Sequence, residues 1–191
     1  VLKGTLFSEE SGYVGPGVDT PVTVWRTPWP QEYNVSLQSP LAEDDLEKYT
    51  GLAERWSAHV RKQEWADTDF FAYVFDEVDG PPEDGVDSAE HRRYIAMVHQ
   101  QMGRLQTALD EGAGENSIDL IWTSHSDPAV WEGDEALDLV GKVRWWAPNG
   151  VAANPAFFAQ RKAAGESLKP MAFAEREDLV LSCRASPCRY S

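Results

Sequence analysis

Two adjacent carboxylates, Asp76 and Glu77, come directly after the apolar and aromatic run of residues 70–75. Two carboxyl groups held together cannot both ionise freely, and an apolar wall such as Phe75 or Trp122 strengthens that effect. One then keeps its proton while the other stays charged, which is the pairing that general acid/base chemistry needs. Successive strand side chains point to opposite faces, so the two share a pocket only where the chain is already leaving its strand. The competing reading makes Asp76 a loop cap and Glu77 a solvated charge.

Two further places carry reactive or polar side chains behind apolar runs. Residues 117–123 open into Ser124-His125-Ser126-Asp127-Pro128, and residues 142–147 end in Pro148-Asn149-Gly150. His125 can bind a substrate or orient an acid, although a loop histidine is commonly just solvated. The chain holds eight tryptophans, and an aromatic face packs well on the apolar face of a sugar ring. Trp122 and Trp146 stand nearest these two strand ends. With Tyr73, His125 and Asn149 they form the candidate substrate-binding set, and core packing is the competing use of each ring.

These side chains need a scaffold that brings several strand ends to one place. From Asp44, apolar residues at Leu46, Tyr49, Leu52, Trp56 and Val60 step by three and four, which predicts a helix ending near Gln63. Residues 70–75 read as a strand buried on both faces. Asp87, with Glu90 three residues on, has the layout of a capping box. It heads a second helix with an apolar face of Ile95, Val98, Met102, Leu105 and Leu109, and Gly112 is its expected stop. Strands at 117–123 and 142–147 and a helix at 155–164 follow, and residues 22–26 are a short strand candidate near the start. The order strand, helix, strand, helix, strand, helix predicts an α/β fold of parallel strands, because parallel neighbours need a long crossover. No G-x-G-x-x-G or P-loop pattern follows a strand, so a nucleotide-binding open sheet yields to a (β/α) barrel. In a barrel the working groups lie at the C-terminal strand ends.

Composition narrows the partners. The 191-residue chain is 42% hydrophobic and 26% charged, with a formal charge of −15. That field repels phosphate backbones, which argues against nucleic acid. No stretch approaches the roughly 20 apolar residues that span a bilayer, and no signal-peptide pattern opens the chain, so it is expected to be soluble without a membrane partner. Its first methionine is Met97, which places the start of translation upstream of Val1. Cys183 and Cys188 have no histidine near them, so neither a disulfide framework nor a zinc site is indicated, and no metal or cofactor is expected. The expected layout is a loop-rich entry segment at 1–42 holding one strand, a barrel portion at 43–168, and an irregular tail at 169–191 that is truncated or out of frame.

The motifs Trp65-x-Asp67, Tyr73-x-x-Asp76-Glu77 and Val143-x-x-Trp146-x-Pro148, with Gln63-Glu64-Trp65 ahead of the strand, form one pattern. Together they resemble the catalytic domain of glycoside hydrolase family 123 and its relatives, the domain-of-unknown-function 4091 proteins, over residues 40–166. The resemblance implies an incomplete (β/α)8 TIM-type barrel fragment with a carbohydrate substrate, extracytoplasmic or secreted. It implies retaining hydrolysis of β-linked N-acetylhexosaminides, N-acetylgalactosamine favoured, with the substrate's own 2-acetamido group as nucleophile. Glu77 would then be the general acid/base, and Asp76 would orient and stabilise the acetamido group as it closes to an oxazoline. Val78 stands where the family has proline, which favours the alternative of a non-catalytic carbohydrate-binding or structural barrel module. A metal-dependent hydrolase using Asp76, Glu77, His125 and Asp127 as ligands lacks the further strand-end histidines it would need.

Overall fold

The computed structural model describes residues 9–12, 22–29, 40–65, 67–75, 78–80, 88–124, 127–148 and 154–168. Among these residues the elements run β1 (Val24–Arg26), α1 (Glu43–Gln63), β2 (Asp69–Ala72), α2 (Ser88–Ala113), β3 (Ile118–Ser124), β4 (Trp145–Pro148), α3 (Pro155–Ala163) and β5 (Ser167–Leu168). The strands form one sheet in the order β1-β2-β3-β4-β5, and every neighbouring pair is parallel. The expected α/β alternation is therefore present, with one exception. Between β3 and β4 the chain crosses through a short 3-10 turn at Pro128–Trp131 and a series of turns, not through an α-helix. No helix among the described residues is long and apolar enough to cross a membrane.

Helix α1 forms where the three-and-four spacing puts it, and its ends follow from charge. Glu43, Asp44 and Asp45 sit in the first turn and Arg61 and Lys62 in the last, each opposite in sign to the local end of the helix dipole. The Asp45 carboxylate also accepts the Ala42 N–H at 3.2 Å. The helix closes at Glu64, which adopts the left-handed conformation with φ 58° so that the Trp65 N–H reaches the Val60 carbonyl at 3.2 Å.

Helix α2 corrects one expectation. Gly112 does not stop it. The helix runs on to Ala113, and Gly114 is the residue that takes a positive φ, at 61°. Gly112 instead lies where α2 meets α1: a Cβ there would fall 2.2 Å from the Thr50 carbonyl oxygen and 2.9 Å from the Ala53 Cβ. Beside this contact the Ser57 hydroxyl donates to the Ala113 carbonyl at 2.7 Å and accepts from the Asn116 amide at 2.7 Å and the Arg61 guanidinium at 2.8 Å. A buried hydroxyl with all its capacity used in this way locks the end of one helix onto the middle of the other.

The strand at 70–75 also needs revision, since β2 pairs only as far as Ala72. Val74 and Phe75 are buried although they belong to no strand. An apolar run reports burial and not pairing, and beyond Leu120 strand β3 continues to Ser124 paired with β4 instead of β2. Strand β3 shows the converse. Its β4 partner begins only at Ile121, in register with Trp145. Ahead of that point the buried side chain of Gln106 from α2 takes a neighbouring strand's place, donating to the Ile118 carbonyl at 3.2 Å and accepting the Leu120 N–H at 2.7 Å.

A single apolar core joins Tyr49, Ala53 and Val60 of α1, Val98, Met102, Leu105 and Leu109 of α2, and Phe157 and Phe158 of α3 to Phe70, Ala72, Ile118, Leu120, Trp122 and Trp146 of the sheet. The three helices therefore cover one sheet face. Strand alternation puts Arg26, Phe71, Tyr73, Asp119, Ile121, Thr123 and Trp145 on the other. Phe71 and Trp145 stack there at 5.0 Å between ring centroids.

Candidate functional site

With all strands parallel, the chain leaves β1, β2, β3 and β4 at one edge of the sheet. That edge holds Arg26 at the end of β1 and Thr27 after it, residues 73–75 after β2, Asp127 after β3 and Asn154 after β4. Thr27 extends the β1–β2 pairing, its backbone N–H reaching the Phe71 carbonyl at 2.8 Å and its hydroxyl donating to the same oxygen at 3.2 Å. Asp76, Glu77, His125 and Asn149 of the expected set, and Ser126 and Asp87, lie outside the described residues.

Trp122 and Trp146 are described, and the structure corrects their expected role. They are in register across β3 and β4 and both face the helices, with 1% and 0% of their surface exposed. Their rings meet edge-on at 5.4 Å. Trp146 also packs at 5.4 Å from Phe157 and 6.2 Å from Phe158, and its indole N–H donates to the Glu166 carboxylate at 2.6 Å. Trp146, with aromatic neighbours around it and its donor used, is core, and Trp122 is equally enclosed although its indole N–H has no partner among the described residues, so neither ring face is open to a ligand. One member of the pair Trp145 and Trp146 must face away from the helices, and it is Trp145. Trp145 is itself 2% exposed, covered in part by Phe71.

Tyr73 follows β2 directly at this edge. It is half-buried on the face opposite the three described helices, and the Arg26 guanidinium lies 5.6 Å from its ring centroid, within the range of a cation–π contact. Arg26 is the residue that the sequence reading passed over. The available signal was position, since a charged residue closes the strand candidate at 22–26.

Asp127 is committed to structure. One of its oxygens accepts the Ala129 N–H at 2.9 Å to start the 3-10 turn, and the other accepts the Asn154 amide at 2.9 Å. Asn154 in turn caps α3 by accepting the N–H groups of Ala156 and Phe157. This chain of bonds fixes the segment after β3 against the one before α3. Among the described residues no group of three or more His, Cys, Asp or Glu side chains is placed to hold an ion.

Behind β3, His99 is fully buried on α2 and packs edge-on to Trp131 at 5.1 Å. Its Nδ1 lies 2.7 Å from the Leu137 carbonyl, which can only accept, so Nδ1 carries the proton and the unprotonated Nε2 has no partner among the described residues. Burial holds the ring neutral, pushing its pKa down to about 4 despite the Leu137 bond and the charge of Asp79, which act the other way. Between the unfolded value near 6.5 and the folded value the unfolded chain alone binds the proton, so stability is present above that window and is lost as pH falls through it. Urea unfolding at pH 7 and pH 4.5 is expected to show a loss of about 2 kcal/mol attributable to this ring. His99→Gln should show a correspondingly smaller loss, and an identical pH dependence in the two proteins would exclude the assignment.

Comparison with protein-family models, with curated proteins and with solved structures finds no match to this chain.

Proposed function

We propose that the chain is part of a (β/α) barrel of the glycoside hydrolase type, acting by substrate-assisted, retaining hydrolysis of β-linked N-acetylhexosaminides with N-acetylgalactosamine preferred. The observation that carries this reading is the parallel sheet with strands in sequential order and, among the described residues, helices on one face, which makes the stretch after β2 a C-terminal strand end. Asp76 and Glu77 occupy that stretch in the sequence. A doubly wound sheet would reverse its strand order and carry helices on both faces. A singly wound one, as in a barrel, does neither and collects its working groups at this edge.

The proposed chemistry needs only this pair. Glu77 donates a proton to the glycosidic oxygen as the acetamido carbonyl oxygen attacks the anomeric carbon, so the leaving alcohol departs and an oxazoline forms. Asp76, ionised, accepts the amide N–H and stabilises the positive charge that builds on the group. Glu77, now a carboxylate, takes a proton from the water that opens the ring, which restores the acid and retains the β-configuration. No carboxylate nucleophile is required.

The test is release of a chromogenic aglycone from β-N-acetylgalactosaminide, β-N-acetylglucosaminide and β-galactoside. Turnover confined to the two acetamido sugars supports the reading, and equal turnover of the galactoside removes the substrate-assisted step. If a well-folded protein cleaves none of them, the non-catalytic carbohydrate-binding module takes its place.

A further inference from the structure

Opposite charges are abundant in this chain, with 32 acidic residues against 17 lysines and arginines. Partly buried arginines should therefore find carboxylates. Arg104 pairs with Glu43, and Arg161 lies 3.6 Å from Glu166. Arg26 is the exception. It is half-buried, yet among the described residues it has neither an ion pair nor a hydrogen bond, and its only recorded contact is the face of Tyr73. A ring face offsets part of the cost of removing a guanidinium from water but engages none of its five N–H donors.

Its position gives that donor set a use. Arg26 is the last residue of β1, in register with Phe71, and it lies on the sheet face opposite the three described helices, at the edge from which the chain continues to Asp76 and Glu77. The Tyr73 ring, 5.6 Å away, gives the guanidinium a surface to rest on. A planar fork held in this way matches two oxygens of a carboxylate or sulfate group, where a lysine would present only a point charge.

We propose that Arg26, braced by Tyr73, binds an anionic oxygen group on the substrate, so that the chain selects glycans bearing a sulfate ester or a uronic carboxylate over neutral ones. This rests on the carbohydrate reading above and adds to it the chemical class of the sugar. In a protein of charge −15 the long-range field opposes such a ligand, so selectivity must come from a local, geometrically fixed cation. Affinity should then weaken as salt competes for that cation.

Isothermal titration separates the possibilities, using the full chain with sulfated N-acetylgalactosamine against N-acetylgalactosamine, galacturonate against galactose, and inorganic sulfate. At least one anionic sugar should bind tenfold or more tightly than its neutral counterpart, and which of the two does so identifies the anionic group. Arg26→Met should erase that preference while leaving neutral-sugar affinity and the melting temperature unchanged, and Arg26→Lys should restore part of it. The wild-type comparison stands even if the methionine variant fails to fold. Equal affinity for anionic and neutral sugars overturns the proposal. Binding of inorganic sulfate that depends on Arg26, with no sugar bound at all, keeps the anion site and overturns the carbohydrate reading. No binding of any probe overturns both.

Discussion

Replacing Glu77 by glutamine is expected to lower kcat/KM about a thousandfold on an alkyl β-N-acetylgalactosaminide, within the range that a positioned general acid contributes. The effect should depend on the leaving group. An alkoxide cannot depart without a proton, whereas a nitrophenolate can, so the variant should lose far less on the nitrophenyl glycoside. The variant should also lose the high-pH limb of the rate profile, because that limb reports deprotonation of the acid in the free enzyme. Asp76→Asn should behave differently, with a comparable loss on both substrates, because the acetamido group needs its partner whatever leaves. A Glu77→Gln protein with equal losses on the two glycosides would sink the general-acid assignment, and full activity would remove the pair from the mechanism altogether.

The largest stability effect is expected at Gly112. Alanine there sets a methyl 2.2 Å from the Thr50 carbonyl oxygen and 2.9 Å from Ala53, so α1 and α2 must separate along their contact. The atoms it meets are backbone and a buried Cβ and cannot swing aside, so the cost should be about 3 kcal/mol. Gly103, on the same helix, is the internal control. A Cβ there meets only the flexible Lys142 side chain, at 3.4 Å or more, and alanine should stabilise the helix by about 0.5–1 kcal/mol. Urea midpoints for the two variants should therefore move in opposite directions at an unchanged m-value. A shift of the same sign in both would mean that the close helix approach at Gly112 does not exist in solution.

The proposed edge also shows how a site can be built on borrowed supports. Asp127 and Asn154 bond to each other and to two helix starts. They hold the segments around β3 and β4 in place, which is what a site assembled from several strand ends requires.

What the sequence by itself determined is the set of elements and their alternation. The three-and-four spacing from Leu46 to Val60 specified α1 to its last residue, and the apolar blocks located β2, β3 and β4 to within a few positions. These are local properties, because amphipathic period and end charges are written into contiguous residues. The carboxylate pair Asp76 and Glu77 stands behind an apolar run in the sequence and lies outside the described residues. Which face each residue takes was decided only by the tertiary structure. Trp145 and Trp146 are chemically identical neighbours, and nothing within the tetrapeptide says that Trp146 faces α3 while Trp145 stacks on Phe71. The register with β3 says it. Gly112 could be read as a stop or as a contact, and only the presence of Thr50 and Ala53 against it, about sixty residues back in the chain, selects the contact. Arg26 carried no local signal of being unpaired, since partners are found or missed across the sheet and not along the chain. Pairing, register and burial are long-range properties, and they place the tryptophans, the glycine and the arginine in roles that residue type and spacing left open.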